Sequence, residues 1–437
     1  MTTQGKILVL CPNAWDKTAL SRFELKNGYQ LVFDGEELLR EPSLWKALTF
    51  DIFGYHRRLV KRHRDAGFDA VVGTGDYPGC MLAAGLAEEL GLKAPRLRDL
   101  VLLSHKFYSR EIQQRSVPEQ TPAFEAVDPF GREVDPALGY PLFLKPVKGT
   151  MSIRAQHVRD RRELKQALKF TWAERLRCQL LLRPFQQWLG VYSDRRVPAH
   201  FFIAERPLQG QQVTVDGLIQ NGRVTLMGIV DSVMYPGTIS FQRFEYPSQL
   251  PAPVQARMAE VAERLIAGSG LDHSHFNVEM FYDPDSSRIS IIEINPRMSY
   301  QFADLYQRVD GMNTYDVQLS LALGKPAQWR RGEGEDCAAA SFVMRRFSDV
   351  RVLAVPSPQE IQRVKERFPG TLVQILCEPG RRLSSYDQDM GSFRYCIVNI
   401  SAPDREELHA RYRAVEPALP FHFAAPDPAP AIKAPPA

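Results

Sequence analysis

The chain has 437 residues, 44% hydrophobic and 24% charged, which accommodates roughly two to four ordinary domains and excludes a disordered, collagen-like or disulfide-stapled protein. Lysine and arginine number 55 against 51 acidic residues, and a net charge of +4 spread over this much surface does not point to a nucleic-acid or membrane partner. The six cysteines, Cys11, Cys80, Cys178, Cys337, Cys377 and Cys396, form no C-x-x-C pair and read as reduced, mostly buried thiols. The N-terminus runs straight into the short apolar stretch 7–10, without a signal-type core or cleavage site. No run reaches the roughly 18 apolar residues of a membrane-spanning helix, so a cytoplasmic location is expected by elimination.

In chain order, the apolar, β-branched runs 7–10 and 70–73 flank helical-period stretches at 44–64 and 81–90. This is the rhythm of an open parallel α/β sheet and predicts an N-terminal α/β domain over 1–100. The basic run 55–64 sits at helical spacing with Leu59 and Val60 inward, so it reads as a solvated helix face rather than a nucleic-acid patch. From Pro141 the pattern changes to α+β. Strands 213–219 and 224–230 flank Asn221-Gly222, a strong hairpin signal, and strands 276–282 and 289–294 are joined through the turn formers 283–287. Helices are predicted over 253–267, closed by Gly268 and Gly270, and over 314–323, closed by Gly324-Lys325-Pro326. The charged stretch 330–336 reads as a linker into a last α+β block with helices at 359–367 and 405–414. Residues 424–437 hold five prolines in fourteen and are expected to form a disordered tail. The stretch 186–199 reads as an insertion.

The most informative segment is Ile292-Glu293-Ile294-Asn295-Pro296-Arg297, preceded by Asn277-Val278-Glu279. Side chains alternate along a strand, so Glu293, Asn295 and Arg297 share one face, with Glu279 on the neighbouring strand. Two carboxylates and an amide oxygen are hard ligands suited to Mg²⁺, and the arginine can clamp a carboxylate or phosphoryl group. Lys145 ends an apolar strand before the loop Val147-Lys148-Gly149-Thr150-Met151-Ser152, where ammonium charge and backbone N–H groups can meet phosphates. No Walker A loop and no G-x-S-x-G elbow is present. In Asp272-His273-Ser274-His275 the histidines read as capping and turn residues rather than zinc ligands.

Taken in order, K-P-x-x-G-x-x-S from Lys145, E-x-x-x-x-G-x-x-x-x-x-D-G from Glu205 and the acidic strand with E-I-N-P-R resemble the ATP-grasp family of carboxylate–amine ligases. The resemblance runs from about residue 100 to 324. It implies an ATP-grasp fold of two subdomains over 101–330 with ATP between them, preceded by the α/β domain and followed by a small C-terminal α+β domain over 331–423. That last block is similar to those of L-amino-acid ligases and biotin-carboxylase-like enzymes. By the same resemblance Glu279, Glu293 and Asn295 hold Mg²⁺ or Mn²⁺, as two ions bridging the phosphates of ATP. Arg297 holds the acceptor carboxylate or acyl phosphate, and Lys145 and Lys106 with Ser152 hold the phosphates. Glu205 lies on the adenine side, where Arg206 and Leu208 offer backbone groups, and Asp216 meets the ribose.

The chain departs from the family pattern at Arg154, where glycine is expected, which either stiffens the phosphate loop or adds a phosphate donor. Met298-Ser299-Tyr300-Gln301 replaces a glycine pair and reshapes the acceptor pocket, for which Ser299, Tyr300, Asp304, Arg308 and Arg345 are candidates. The activity implied is phosphorylation of a small-molecule carboxylate to an acyl phosphate and its capture by an amine, in a homodimer such as relatives often form. A biotin-carboxylase-like enzyme and a non-catalytic ATP-binding regulator are the alternatives.

Overall fold

The structure, a computed structural model, describes residues 4–39, 48–131, 136–149, 154–386 and 392–425. The predicted N-terminal strands are present as β1 (Gly5–Leu10) and β3 (Ala70–Gly73). A third strand that the pattern did not single out, β2 (Tyr29–Asp34), lies on the other side of β1 in a parallel sheet of order β2-β1-β3. The helix predicted over 44–64 is observed as Ile52–His63; positions 44–47 lie outside the described residues. It starts at Asp51, whose carboxylate accepts from the backbone N–H groups of Phe53 and Gly54, as an N-cap does. It buries Tyr55, Leu59, Val60 and His63. Its basic face is partly paired, since Arg62 and His63 both reach Asp34, at 2.6 and 2.7 Å.

A four-stranded antiparallel sheet follows. It comprises β4 (Phe124–Val127), β5 (Leu142–Pro146), β6 (Gln156–Val158) and β7 (Phe202–Glu205) in the order β4-β7-β5-β6. Between β6 and β7 runs the 21-residue helix Trp172–Tyr192. The residues read as an insertion begin inside this helix. Its C-terminal half buries Phe185, Trp188 and Leu189 in the same core as Leu8, Leu59 and Leu100, so this helix ties the small sheet to the N-terminal parallel sheet.

The third sheet contains both predicted hairpins. Strands β8 (Gln211–Gln220) and β9 (Arg223–Met234) turn at Asn221 and Gly222, with φ of 52° and 74°, the left-handed pair that the two-residue turn requires. Next come β10 (Phe241–Tyr246) and the second hairpin, β11 (Ser274–Asp283) and β12 (Arg288–Asn295). Beyond the linker are β13 (Ala338–Arg346), β14 (Val352–Ala354), β15 (Leu372–Ile375), β16 (Phe393–Ala402) and β17 (His422–Phe423). The sheet order is β12-β11-β8-β9-β10-β13-β16-β15. The boundary expected at 330/331 therefore falls within one continuous sheet, because β13 pairs antiparallel with β10 and covers an edge that would otherwise be unpaired. The predicted helices are observed as Ala252–Ala267, Thr314–Ala322, Pro358–Arg367 and Arg405–Val415. The proline-rich segment 426–437 lies outside the described residues. All six cysteines are free, and Cys337 is exposed.

Candidate active site

Two adjoining cavities open on the eight-stranded sheet, the first facing the four-stranded sheet and the second facing the N-terminal segments that carry Asn13 and Asp76. The first, of about 720 Å³, has apolar walls from Phe143, Ala155, Leu208, Met234 and Phe281, with Lys145 and Glu205 at its base. The second, of about 590 Å³, is lined by Asp76, Lys148, Asn295, Arg297, Tyr300 and Arg345 among others. Lys106, Gln212, Glu279 and Glu293 line both and mark the junction.

The junction depends on a break in strand alternation. An unbroken β12 would put Glu293 on the face of Ile289 and Ile291, which are buried core residues. A bulge between Glu279 and Met280 in the β11–β12 ladder leaves Ile292 without a register partner. Beyond it Glu293 faces Glu279 and Asn295 faces Asn277. Extra residues of this kind re-aim side chains beside functional sites. Asn295 donates to Glu279 Oε1 at 3.2 Å, and Gln212 to its Oε2 at 3.0 Å. Lys106 Nζ lies 3.0 Å from Glu293 Oε2 and donates to the Gly149 carbonyl at 3.0 Å. Burial, then the facing Glu293, push the Glu279 carboxyl up. Burial also disfavours ionised Glu293, but Lys106 and Lys145 outweigh it and hold that carboxyl down. Two facing carboxylates that raise one another's cost of ionisation are a place where a divalent cation lowers the energy. The donor set of two carboxylates and an amide is of the hard type that Mg²⁺ prefers.

Lys145 projects from β5 between two acceptors, Glu205 Oε2 at 2.9 Å and the Ile292 carbonyl at 3.3 Å. The other Glu205 oxygen accepts from Arg110 Nε at 2.6 Å. Burial opposes ionisation of Glu205, but Arg110 and Lys145 hold its carboxyl down at about 2. Burial pulls the Lys145 pKa down, and Glu205 offsets this only in part because the like charge of Arg110 also pulls it down. Both oxygens of Glu205 are thus committed to cations, so its side chain orients Lys145 rather than reaching into the cavity as a free acceptor.

At the far end, Arg297 Nη2 lies 3.7 Å from Asp76. Asp76 follows β3, and Lys148 and Arg297 hold its carboxyl down against burial. The Lys148 ammonium sits 4.8 Å from the centre of the Phe185 ring and 5.2 Å from that of Tyr77.

Lys106, Lys145, Glu205, Arg206, Leu208, Glu279, Glu293, Asn295 and Arg297 thus gather on the walls of these cavities, and Ser152 lies outside the described residues. The backbone N–H of Arg206 donates to the Ala123 carbonyl at 3.1 Å, which leaves only its carbonyl for a ligand. Asp216 is a correction. It is buried, it lines neither cavity, and its oxygens accept from Asn277 at 2.6 Å and Tyr306 at 2.9 Å; register places it opposite Asn277, behind the carboxylates. Asp304 and Arg308 also line neither cavity, and Arg308 donates instead to the Gly370 carbonyl. Arg154 stacks 3.9 Å from the centre of the Phe170 ring and reaches Glu174 at 3.4 Å, which ties the end of its loop to the long helix. Asp76, Gln212 and Arg110 were missed. Only Arg110 carries a local signal, its four-residue spacing from Lys106 on one helix face.

Burial raises the Asp216 carboxyl to about 6, above the unfolded value of about 3.9, so stability falls as pH rises from about 4 through 6 and a cost of about 3 kcal/mol is then fully present. Asp216→Asn lacks this component. Its stability relative to wild type should therefore rise by about that amount between pH 4 and 7, as urea titrations at the two pH values will measure; a constant difference would contradict the assignment.

A family model described as the ATP-grasp domain matches residues 138–306. These residues belong to the ATP-grasp family. Within that domain lie β5, both hairpins, the carboxylate pair and Arg297. The chain is 40% identical over 81 residues to carnosine synthase 1 of Gallus gallus, 18% of this chain and 8% of that one. The matched segments span less than a tenth of the length of such curated relatives. In structure the chain is similar to an L-amino acid ligase from Bacillus licheniformis, with a TM-score of 0.74 at 17% identity, covering 97% of this chain and all of that one. It is also similar to the biotin carboxylase domain of 2-oxoglutarate carboxylase from Hydrogenobacter thermophilus, solved with MgADP and bicarbonate, with a TM-score of 0.65 at 15% identity over 97% and 92% of the two chains. The ATP-grasp fold thus extends over nearly the whole chain, and no helix among the described residues is long and apolar enough to cross a membrane.

Proposed function

We propose that the chain is an ATP-dependent ligase that phosphorylates the carboxylate of a small molecule and couples the resulting acyl phosphate to an amine, releasing ADP and phosphate. The observation that carries this reading is the carboxylate pair Glu279–Glu293 standing with Lys106 and Lys145 where an apolar-walled cavity meets one bearing Arg297. The adenine of ATP occupies the apolar cavity, against Phe281, Leu208 and the Arg206 carbonyl. Lys145 and Lys106 meet the phosphates as they pass the junction, and Arg297 orients the acid across it. A carboxylate is a poor electrophile because its leaving group is oxide; the acyl phosphate replaces oxide by phosphate. Glu279, Glu293 and Asn295 would hold Mg²⁺, as two ions, which neutralises phosphate charge when bound. The residues around the reacting centre act mainly by position and charge, the dominant contributions to phosphoryl transfer.

Similarity to an L-amino acid ligase supports an amino acid as the acid. Similarity to a biotin carboxylase domain solved with bicarbonate supports, as second reading, a carboxylase that activates bicarbonate. Release of ADP and phosphate from Mg-ATP, measured with pooled amino acids, with bicarbonate and with neither, separates them. Release that requires the amino-acid pool is expected. Release driven by bicarbonate would move the assignment to the carboxylase, and tight ATP binding without turnover on any acid would move it to a nucleotide-dependent regulator.

A further inference from the structure

Arg110 lies one helical turn after Lys106 on the helix Lys106–Ser116 and has one of the largest fully buried side chains in the molecule. Arginine is seldom buried unless its donors are matched. Here Nε donates to Glu205 at 2.6 Å, Nη1 to the Gln113 side chain and to the Ile291 carbonyl at 2.9 Å, and Nη2 to the Ile292 carbonyl at 2.8 Å. The two carbonyls belong to the bulged segment of β12 that turns Glu293 out of the core. The Ile292 carbonyl also accepts from Lys145, and Lys106, from the same helix face, holds the Glu293 carboxylate itself.

We propose that Arg110 is a positioning residue for the nucleotide–metal junction: its planar fork fixes the β12 bulge and, through Glu205, the Lys145 ammonium, so that one buried group sets the relative placement of Glu293 and Lys145. Its side chain reaches the wall of the second cavity, but all three of its nitrogens donate to protein acceptors, so it acts through Glu293 and Lys145. This rests on the ligase reading above. A bulge lacks ladder partners for its extra residue, and free carbonyls at that point would let β12 relax toward regular alternation, which returns Glu293 to the core face. Lysine at this position keeps the charge but cannot grip two carbonyls and a carboxylate at once, because it lacks the fork geometry.

The test is Mn²⁺ binding followed by electron paramagnetic resonance in the presence of ADP, beside ADP affinity in EDTA and steady-state turnover, for wild type, Arg110→Lys and Gln113→Met. The last loosens the arginine without removing it and serves if the lysine variant does not fold. Gly228→Ala, whose new methyl would press on the Tyr246 ring at 2.5 Å, away from the junction, is the control for lost stability. For Arg110→Lys, Mn²⁺ affinity and kcat are expected to fall by about 10- to 100-fold, the usual size of an effect transmitted through an outer partner. ADP affinity in EDTA should fall by less than Mn²⁺ affinity does, because it loses only the placement of Lys145 and not that of Glu293. Gln113→Met should shift in the same direction by a few-fold, and Gly228→Ala should leave Mn²⁺ affinity unchanged. Wild-type Mn²⁺ affinity in Arg110→Lys, or an equal loss of ADP affinity in EDTA, would overturn the positioning role. Absence of Mn²⁺ binding by the wild type itself would overturn the ligase reading and this inference with it.

Discussion

Glu293→Ala is expected to lower ATP-dependent turnover by about 10³-fold while leaving the fold intact. Loss of a group that stabilises developing charge commonly costs about 10²- to 10³-fold, and here one carboxylate serves two ends, as a metal ligand and as the partner of Lys106. Folding should be little affected, because the Glu293 side chain is 26% exposed and Lys106 keeps the Gly149 carbonyl. The pair also makes a directional statement about protons. Burial, then the facing carboxylate, push the Glu279 carboxyl up to about 7, so below that pH a metal must displace its proton, and apparent metal affinity in the wild type should strengthen as pH rises. In Glu293→Ala the like charge is gone and Glu279 ionises more readily, so that pH dependence should weaken even as overall affinity falls. Phosphate release titrated with Mg²⁺ at several pH values checks both. Turnover within tenfold of wild type would remove Glu293 from the proposed machinery.

What the sequence disclosed and what it withheld follow from how far each interaction reaches. Period-two patterning placed Glu293, Asn295 and Arg297 together, and Asn221-Gly222 announced its hairpin, because both signals are local. The bulge at Ile292 was not legible: an alternating strand and a bulged one can share the same residues, and the difference lies in Arg110, 181 and 182 positions away from the carbonyls it binds. Asp76 was missed for a similar reason, since an acid after a strand looks like a turn residue until Arg297 and Lys148 are folded against it. Asp216 misled in the opposite sense. Its D-G setting suggested a ligand contact, but register brings it beside Asn277, and Tyr306 from a later helix seals it. The charged stretch before Ala338 looked like a domain boundary because linkers are polar; hydrogen bonding between β10 and β13 carries the sheet across it all the same.

Glu205→Leu should give the largest loss of stability among the residues of this cleft. The carboxylate serves two cations whose side chains are only 2% and 7% exposed, Arg110 and Lys145. Removing it leaves both buried with a missing partner, a change that costs about 3–5 kcal/mol for a single broken buried pair. Leucine fills the volume but accepts no hydrogen bond, whereas Glu205→Gln keeps one acceptor and should lose less. The pH dependence separates this account from simple misfit in packing. In the wild type the Glu205 carboxyl is held at about 2, so its contribution is complete above the unfolded carboxylate range of about 4.3 and disappears only as pH falls through 2. In Glu205→Leu the burden falls on Lys145, which burial already pushes toward its neutral form. Without the carboxylate its folded pKa drops further below the unfolded one, so the folded state binds fewer protons than the unfolded between those two values, and stability rises with pH from the folded pKa up to the unfolded value of about 10.4. Arg110, also left without its carboxylate, supplies the part of the penalty that does not recover. Urea midpoints at pH 6 and pH 9 should therefore show a deficit in Glu205→Leu that narrows at the higher pH without closing. A deficit that is the same at both would mean that lost packing, not an unpaired lysine, is what the leucine introduces.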